Sequence, residues 1–164
     1  DMILRLQNIN TRLKSLNRIA FILIITSILY IGAFGFNYVF GFIKGRDLIW
    51  FNIPNNEKSI GFIFISTILV APIFETILGQ SLPYYLLKKV KFLNERNYLI
   101  LLISSLFFGL LHFYSLFYIL YAFLLGLVLM YAYMIRIKTD KRTFFLIAIC
   151  HSLLNIGIFI INLF

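Results

Sequence analysis

Five apolar runs, each close to or above bilayer-crossing length, take up most of this 164-residue chain. They are Ile19 to Ile43, Ser59 to Leu87, Tyr98 to Tyr114, Leu116 to Ile135 and Thr143 to Phe164. Crossing about 30 Å of hydrocarbon takes roughly 20 helical residues. Lipid offers backbone amides no partner, so runs of this length satisfy their own hydrogen bonds as helices. The chain is therefore predicted to be an all-α, polytopic membrane protein. Five transmembrane helices form a bundle, and an amphipathic basic segment precedes them. Composition agrees: 13% of residues are charged, whereas a soluble domain carries about a quarter. The single Cys150 excludes an intrachain disulfide. The first run is too long for a secretory leader, and no small-residue cleavage site follows it.

Residues 1–18 place Met2, Leu6, Ile9, Leu13 and Leu16 at heptad-like spacing, with Arg5, Arg12, Lys14 and Arg18 between them. Two readings stand side by side: a helix lying among lipid headgroups, or a frayed basic arm. The rest is expected to divide into a first helix at 19–43 and a four-helix core at 59–164. Lysine and arginine then set the orientation. Twelve lie in the N-terminal segment, the 88–97 loop and the 136–142 loop, against only Lys44, Arg46 and Lys58 on the other side. The positive-inside rule puts the N terminus in the cytoplasm and the C terminus outside. These charges flank apolar runs, so the formal charge of +9 orients the chain rather than binding nucleic acid.

The second run carries Pro72 and Pro83. Each removes a backbone donor, which predicts a kink near the middle and a break near the cytoplasmic end. The third and fourth runs are joined by almost no loop and must form an antiparallel hairpin.

Glu75, His112, His151 and Asn155 lie inside these runs, where an ionisable group facing lipid costs about 2.5–3.5 kcal/mol. At about 1.5 Å per residue, Glu75 lies about 20 Å from Lys88, His112 about 22 Å from Asn97 and Asn155 about 20 Å from Arg142. His151 is about 14 Å deep on the face of Asn155, four residues away. Three runs thus deliver polar groups to one layer. A lone membrane histidine or asparagine can equally be an interhelical hydrogen-bonding residue. Glu75 is harder to explain so, because its run offers no lysine or arginine partner. A carboxylate, two imidazoles and an amide are the components of a water-activating hydrolytic site.

Three segments resemble the motifs of the CAAX-protease and bacteriocin-processing (CPBP, or Abi) intramembrane proteases. Ala71-Pro72-Ile73-Phe74-Glu75-Thr76-Ile77-Leu78-Gly79-Gln80 is similar to their first motif. Phe108-Gly109-Leu110-Leu111-His112 is similar to the second, and His151-Ser152-Leu153-Leu154-Asn155 to the last. Phe123-Leu124-Leu125-Gly126 resembles the glycine-bearing helix between. The likeness covers residues 59–164. Most members carry a Glu pair followed by an Arg; Thr76 and Gln80 stand at the second Glu and Arg positions here.

The resemblance implies hydrolysis of a peptide bond in a small peptide or membrane-associated substrate. On this reading Glu75 is the general base, His112 helps hold the water, and His151 and Asn155 point donors at the oxyanion. Gly79 leaves room for water or substrate, Thr76 and Gln80 orient the groups around Glu75, and Phe108 packs. Glu75, His112 and His151 can alternatively hold Zn²⁺, although the compact His-Glu-x-x-His helix is absent; glutamate-activated water without metal is the preferred chemistry. The competing function is an inactive immunity, binding or scaffold protein in a membrane-protein complex. Compact length suggests a bacterial cytoplasmic membrane, and five runs with one acid and no inverted repeat argue against a transporter.

Overall fold

The computed structural model describes residues 2–44 and 59–161, and every regular element among them is helical. Arg46, Lys58 and residues 162–164, which entered the orientation count or the fifth run, lie outside the described residues. The helices are α1 (Met2–Ser15), α2 (Arg18–Lys44), α3 (Ile60–Lys89), α4 (Asn97–Leu110), α5 (Leu116–Arg136) and α6 (Thr143–Ile161). Short polar residues set several starts. Asn17 Oδ1 accepts from Ala20 N at 2.8 Å, Ser59 Oγ from Phe62 N at 3.2 Å and Ser115 Oγ from Tyr118 N at 3.1 Å. Each satisfies an amide that the first helical turn leaves without a partner.

Among the described residues, four helices are long and apolar enough to cross a membrane: α2, α3, α5 and α6. The third run differs from expectation. Its helix, α4, has 14 residues and stops at Leu110, and Leu111–Tyr114 form a turn. Capping of α5 at Ser115 leaves the chain only these residues in which to reverse. The hairpin itself is present, with α4 packed along α5.

Pro83 does not break α3. The helix runs on to Lys89, with two five-residue-register (π) turns at Ser66–Val70 and Ile77–Ser81. In the first, Ala71 N–H reaches Ser66 O; in the second, Leu82 N–H reaches Ile77 O. A proline follows each, at the start of the α-helical segment that resumes. There the missing N–H is absorbed by the change of register rather than by ending the helix.

The core lies where α2, α5 and α6 meet. Phe21, Ile25, Leu29, Ala33 and Phe36 form a buried stripe on α2, while Ile24, Ile28 and Ile31 between them are exposed. This is one packed face and one lipid-facing face. The middle of α3 packs on α6, and its lower half on α4 and α5.

The N-terminal segment is a helix docked on α5, not a frayed arm. Tyr131 Oη donates to Asn10 Oδ1 at 2.5 Å. Buried Arg136 donates to the carbonyls of Leu13, Lys14 and Leu16 at 2.9–3.2 Å, satisfying the acceptors at the negative end of α1. Arg18 grips Asp140 through two hydrogen bonds, of 2.7 and 3.1 Å.

Candidate active site

The end of α4 orients one imidazole. His112 N–H turns back to Gly109 O at 3.0 Å, so the Phe108 carbonyl loses the donor that a continuing helix would supply. His112 Nδ1 takes that carbonyl at 2.8 Å. A carbonyl can only accept, so the proton sits on Nδ1 and neutral His112 presents a bare lone pair at Nε2.

That nitrogen faces Glu75. Its distance to Glu75 Oε2 is 3.7 Å, and His151 Nε2 lies 3.3 Å from the same oxygen. Three elements thus converge on one carboxylate oxygen: the middle of α3, the turn after α4 and the middle of α6. The Glu75 side chain is 27% exposed against 14% for His112 and 5% for His151. The carboxylate is therefore the most accessible of the three groups and His151 the most deeply buried. His151 Nδ1 is buried and makes no hydrogen bond among the described residues.

One aromatic ring spaces the two imidazoles. Phe108 is 1% exposed, with its centroid 4.8 Å from that of His112 and 5.9 Å from that of His151. Two glycines make its slot. A Cβ on Gly79 would collide with the Phe108 ring, and one on Gly126 would lie 3.1 Å from its Cδ1. The space beside Gly79 is thus filled by Phe108, and the expectation of room for water or substrate there is corrected. Gly126, which entered only through a resemblance, is the other side of that slot.

Asn155 is engaged elsewhere. Its Nδ2 donates to Thr67 O at 2.9 Å, so the structure ties this amide to α3 rather than to Glu75. In the five-residue register, the donor for Thr67 O would come from residue 72, which is proline. Asn155 supplies what Pro72 lacks. Thr76 and Gln80 are fully buried, but Thr76 Oγ1 and both amide atoms of Gln80 make no hydrogen bond among the described residues. No contact shows either residue orienting Glu75.

Sequence reasoning passed over Tyr118. Its ring lies 5.8 Å from His112 and continues through Tyr121 to Phe36 of α2. The aromatic spacing along the start of α5 was the available signal.

A model of the Rce1-like family, type II CAAX prenyl endopeptidases, matches residues 57–157. This chain belongs to that family. The matched segment is more than half of the chain and holds Glu75, His112, His151 and Asn155. The Rce1-like family consists of proteases, so the chemistry that its members define is peptide hydrolysis. No curated protein and no solved structure matches significantly. The helices α1 and α2 lie outside the Rce1-like match, yet they are joined to it through Arg136 and Asp140.

A metal can be tested against this donor set. Among the described residues, no group of three or more His, Cys, Asp or Glu side chains is arranged to hold a metal ion. The nearest approach to such a group is the carboxylate–imidazole cluster of Glu75, His112 and His151.

Proposed function

We propose that this protein is an intramembrane endopeptidase that cleaves a small peptide or membrane-associated substrate by glutamate-activated water. The observation that carries the reading is the approach of two imidazole nitrogens to Glu75 Oε2, at 3.3 and 3.7 Å. His112 Nε2 and Glu75 Oε2 are both acceptors. A water lodged beside them donates to both and turns its lone pair toward a scissile carbonyl.

Glu75 then takes one proton of that water as its oxygen bonds to the carbonyl carbon. Negative charge builds on the carbonyl oxygen. With its proton on Nε2, His151 is a fixed donor for that charge, and one such donor lowers a barrier by about 3 kcal/mol. Protonated Glu75 returns its proton to the departing amide nitrogen as the C–N bond breaks. The carboxylate, imidazoles and water suffice for each step, and no step is routed through a metal. Asn155 acts here as a positioning residue through Thr67. Phe108 holds the imidazole spacing.

Orientation follows the bias in lysine and arginine, with the N terminus cytoplasmic, in a bacterial cytoplasmic membrane. A second reading, an inactive binding, immunity or scaffold protein in a membrane complex, is favoured by one observation. Buried Thr76 and Gln80, without partners among the described residues, replace the charged Glu–Arg pair of most relatives. Alanine replacement of Glu75, His112 and His151 in turn separates the two. The protease loses its cellular effect with each, whereas a binder keeps it with at least one.

A further inference from the structure

The end of the molecule remote from His112 contains a second feature. There α1, α4 and α5 enclose a cavity of about 330 Å³, with Tyr84 of α3 completing the wall. Its lining mixes apolar Leu101, Met134 and Ile135 with tyrosines and with the cations Lys14 and Lys138 and the amide of Asn97. No Asp or Glu lines it. The Asp140 carboxylate, only two residues beyond Lys138, is already held by Arg18 and Arg136. Lys14 and Lys138 have no side-chain partner among the described residues, and both are exposed.

Two further features favour an anion. The α4 N-terminus, whose Asn97 lines the cavity, has no side-chain cap; Leu99 N–H is taken by Arg96 O at 3.0 Å, which leaves the Asn97 and Tyr98 amides and the positive dipole end open to an acceptor among the described residues. Lys88 donates to Asn97 Oδ1 at 2.9 Å, which brings a third cation beside this lining residue. Apolar and basic side chains lining one cavity, at the end of membrane-crossing helices, match a molecule with a phosphate at headgroup depth and hydrocarbon attached.

We propose that this cavity binds the headgroup phosphate of an anionic phospholipid, with its glycerol and upper acyl segment over Leu101 and Met134. The bound lipid bridges α1 to α4 and α5, and so ties the N-terminal helix to the protease core from the membrane side. The site is distinct from Glu75 and does not depend on the hydrolytic reading.

The test is thermal unfolding of the full chain in neutral detergent, with phosphatidylglycerol, phosphatidylcholine or inorganic phosphate added. Phosphatidylglycerol is expected to raise the midpoint by about 5 °C and phosphatidylcholine to leave it unchanged. The K14Q/K138Q variant loses the rise, K14R/K138R keeps it, and K89Q/K141Q, which removes two exposed lysines outside the cavity, also keeps it. An equal rise with phosphatidylcholine overturns the proposal. So does an equal loss in K89Q/K141Q, because the basic face as a whole would then be responsible. A rise with inorganic phosphate matching that with phosphatidylglycerol overturns the lipid assignment in favour of free phosphate. Should K14Q/K138Q fail to fold, K14R/K138R compared with K89Q/K141Q still decides between fixed charge at the cavity and bulk attraction.

Discussion

Asn155 donates its side-chain amide to the carbonyl of Thr67 at 2.9 Å, across the contact between α6 and the first widened turn of α3. The bond compensates for Pro72, and it fixes the helix that carries Glu75 two turns later. Asn155→Ala leaves that carbonyl without its partner and should cost about 1–2 kcal/mol of stability, with activity falling as Glu75 shifts. Pro72→Ala returns an N–H at the position from which Thr67 can be served. Thermal unfolding and turnover of the Asn155→Ala/Pro72→Ala double variant should therefore recover part of both losses. An oxyanion donor would show no such rescue, and its absence would return Asn155 to that role.

The slot for Phe108 is the second point of leverage. Gly79→Ala forces the ring away from both imidazoles and should cost about 1–3 kcal/mol by overpacking. Phe108→Ala leaves the imidazoles unspaced and should cost about 3–5 kcal/mol. Turnover should fall at least tenfold in each, in protein that still unfolds cooperatively. Full activity in Gly79→Ala would show that Phe108 does not set the imidazole spacing.

Where α5 turns into α6, hydrogen bonds from Arg18 are the main cause that holds the Asp140 carboxyl down at about 2, against an ordinary value of 3.8. Its folded value is depressed, so the stabilisation is fully present above about pH 4 and is lost as pH falls through 2. Protease protection of the α1–α2 junction, where Arg18 sits, should stay level between pH 7 and 4.5 and decline only below pH 4. Asp140→Asn should lose that protection at pH 7 and show no further acid step. A wild-type decline already under way at pH 5 would mean that another group governs docking.

Chelation tests the chemistry from a different side. Protein purified without a histidine tag should contain well under one equivalent of zinc, and dialysis against a chelator should leave turnover unchanged. One equivalent of zinc, with activity lost on its removal and restored on its return, would replace the water-activation scheme with metal-assisted hydrolysis.

Much of the fold was legible because lipid leaves a long apolar run little choice but a helix. The stripe from Phe21 to Phe36 and the α4–α5 hairpin follow from that constraint. The layer shared by Glu75, His112 and Asn155 was legible as depth, with His151 one turn shallower on the face of Asn155, although depth could not say which faces meet. What escaped were events of backbone register. The widened turns precede Pro72 and Pro83, and the second lets α3 continue at Pro83, where proline rules predict a break. The early end of α4 moved His112 from a helix into a turn, and only there does Phe108 O become free to orient it. The Gly79 face looked open because a helical wheel does not contain the neighbour whose ring fills it. Asn155 could not be separated from a catalytic donor until its partner, Thr67, was known.

The central claim is that Glu75 draws the proton from an attacking water. The direct measurement is mass spectrometry of peptides accumulating in membranes of cells that make either wild type or Glu75→Gln, with unfolding midpoints taken on both proteins. The amide has nearly the same shape but cannot act as a base, so cleavage should fall by about 10²-fold or more while the midpoint moves little, and intact substrate should collect only in the variant. Equal amounts of cleaved peptide in both membranes, with both proteins folded, would contradict the account.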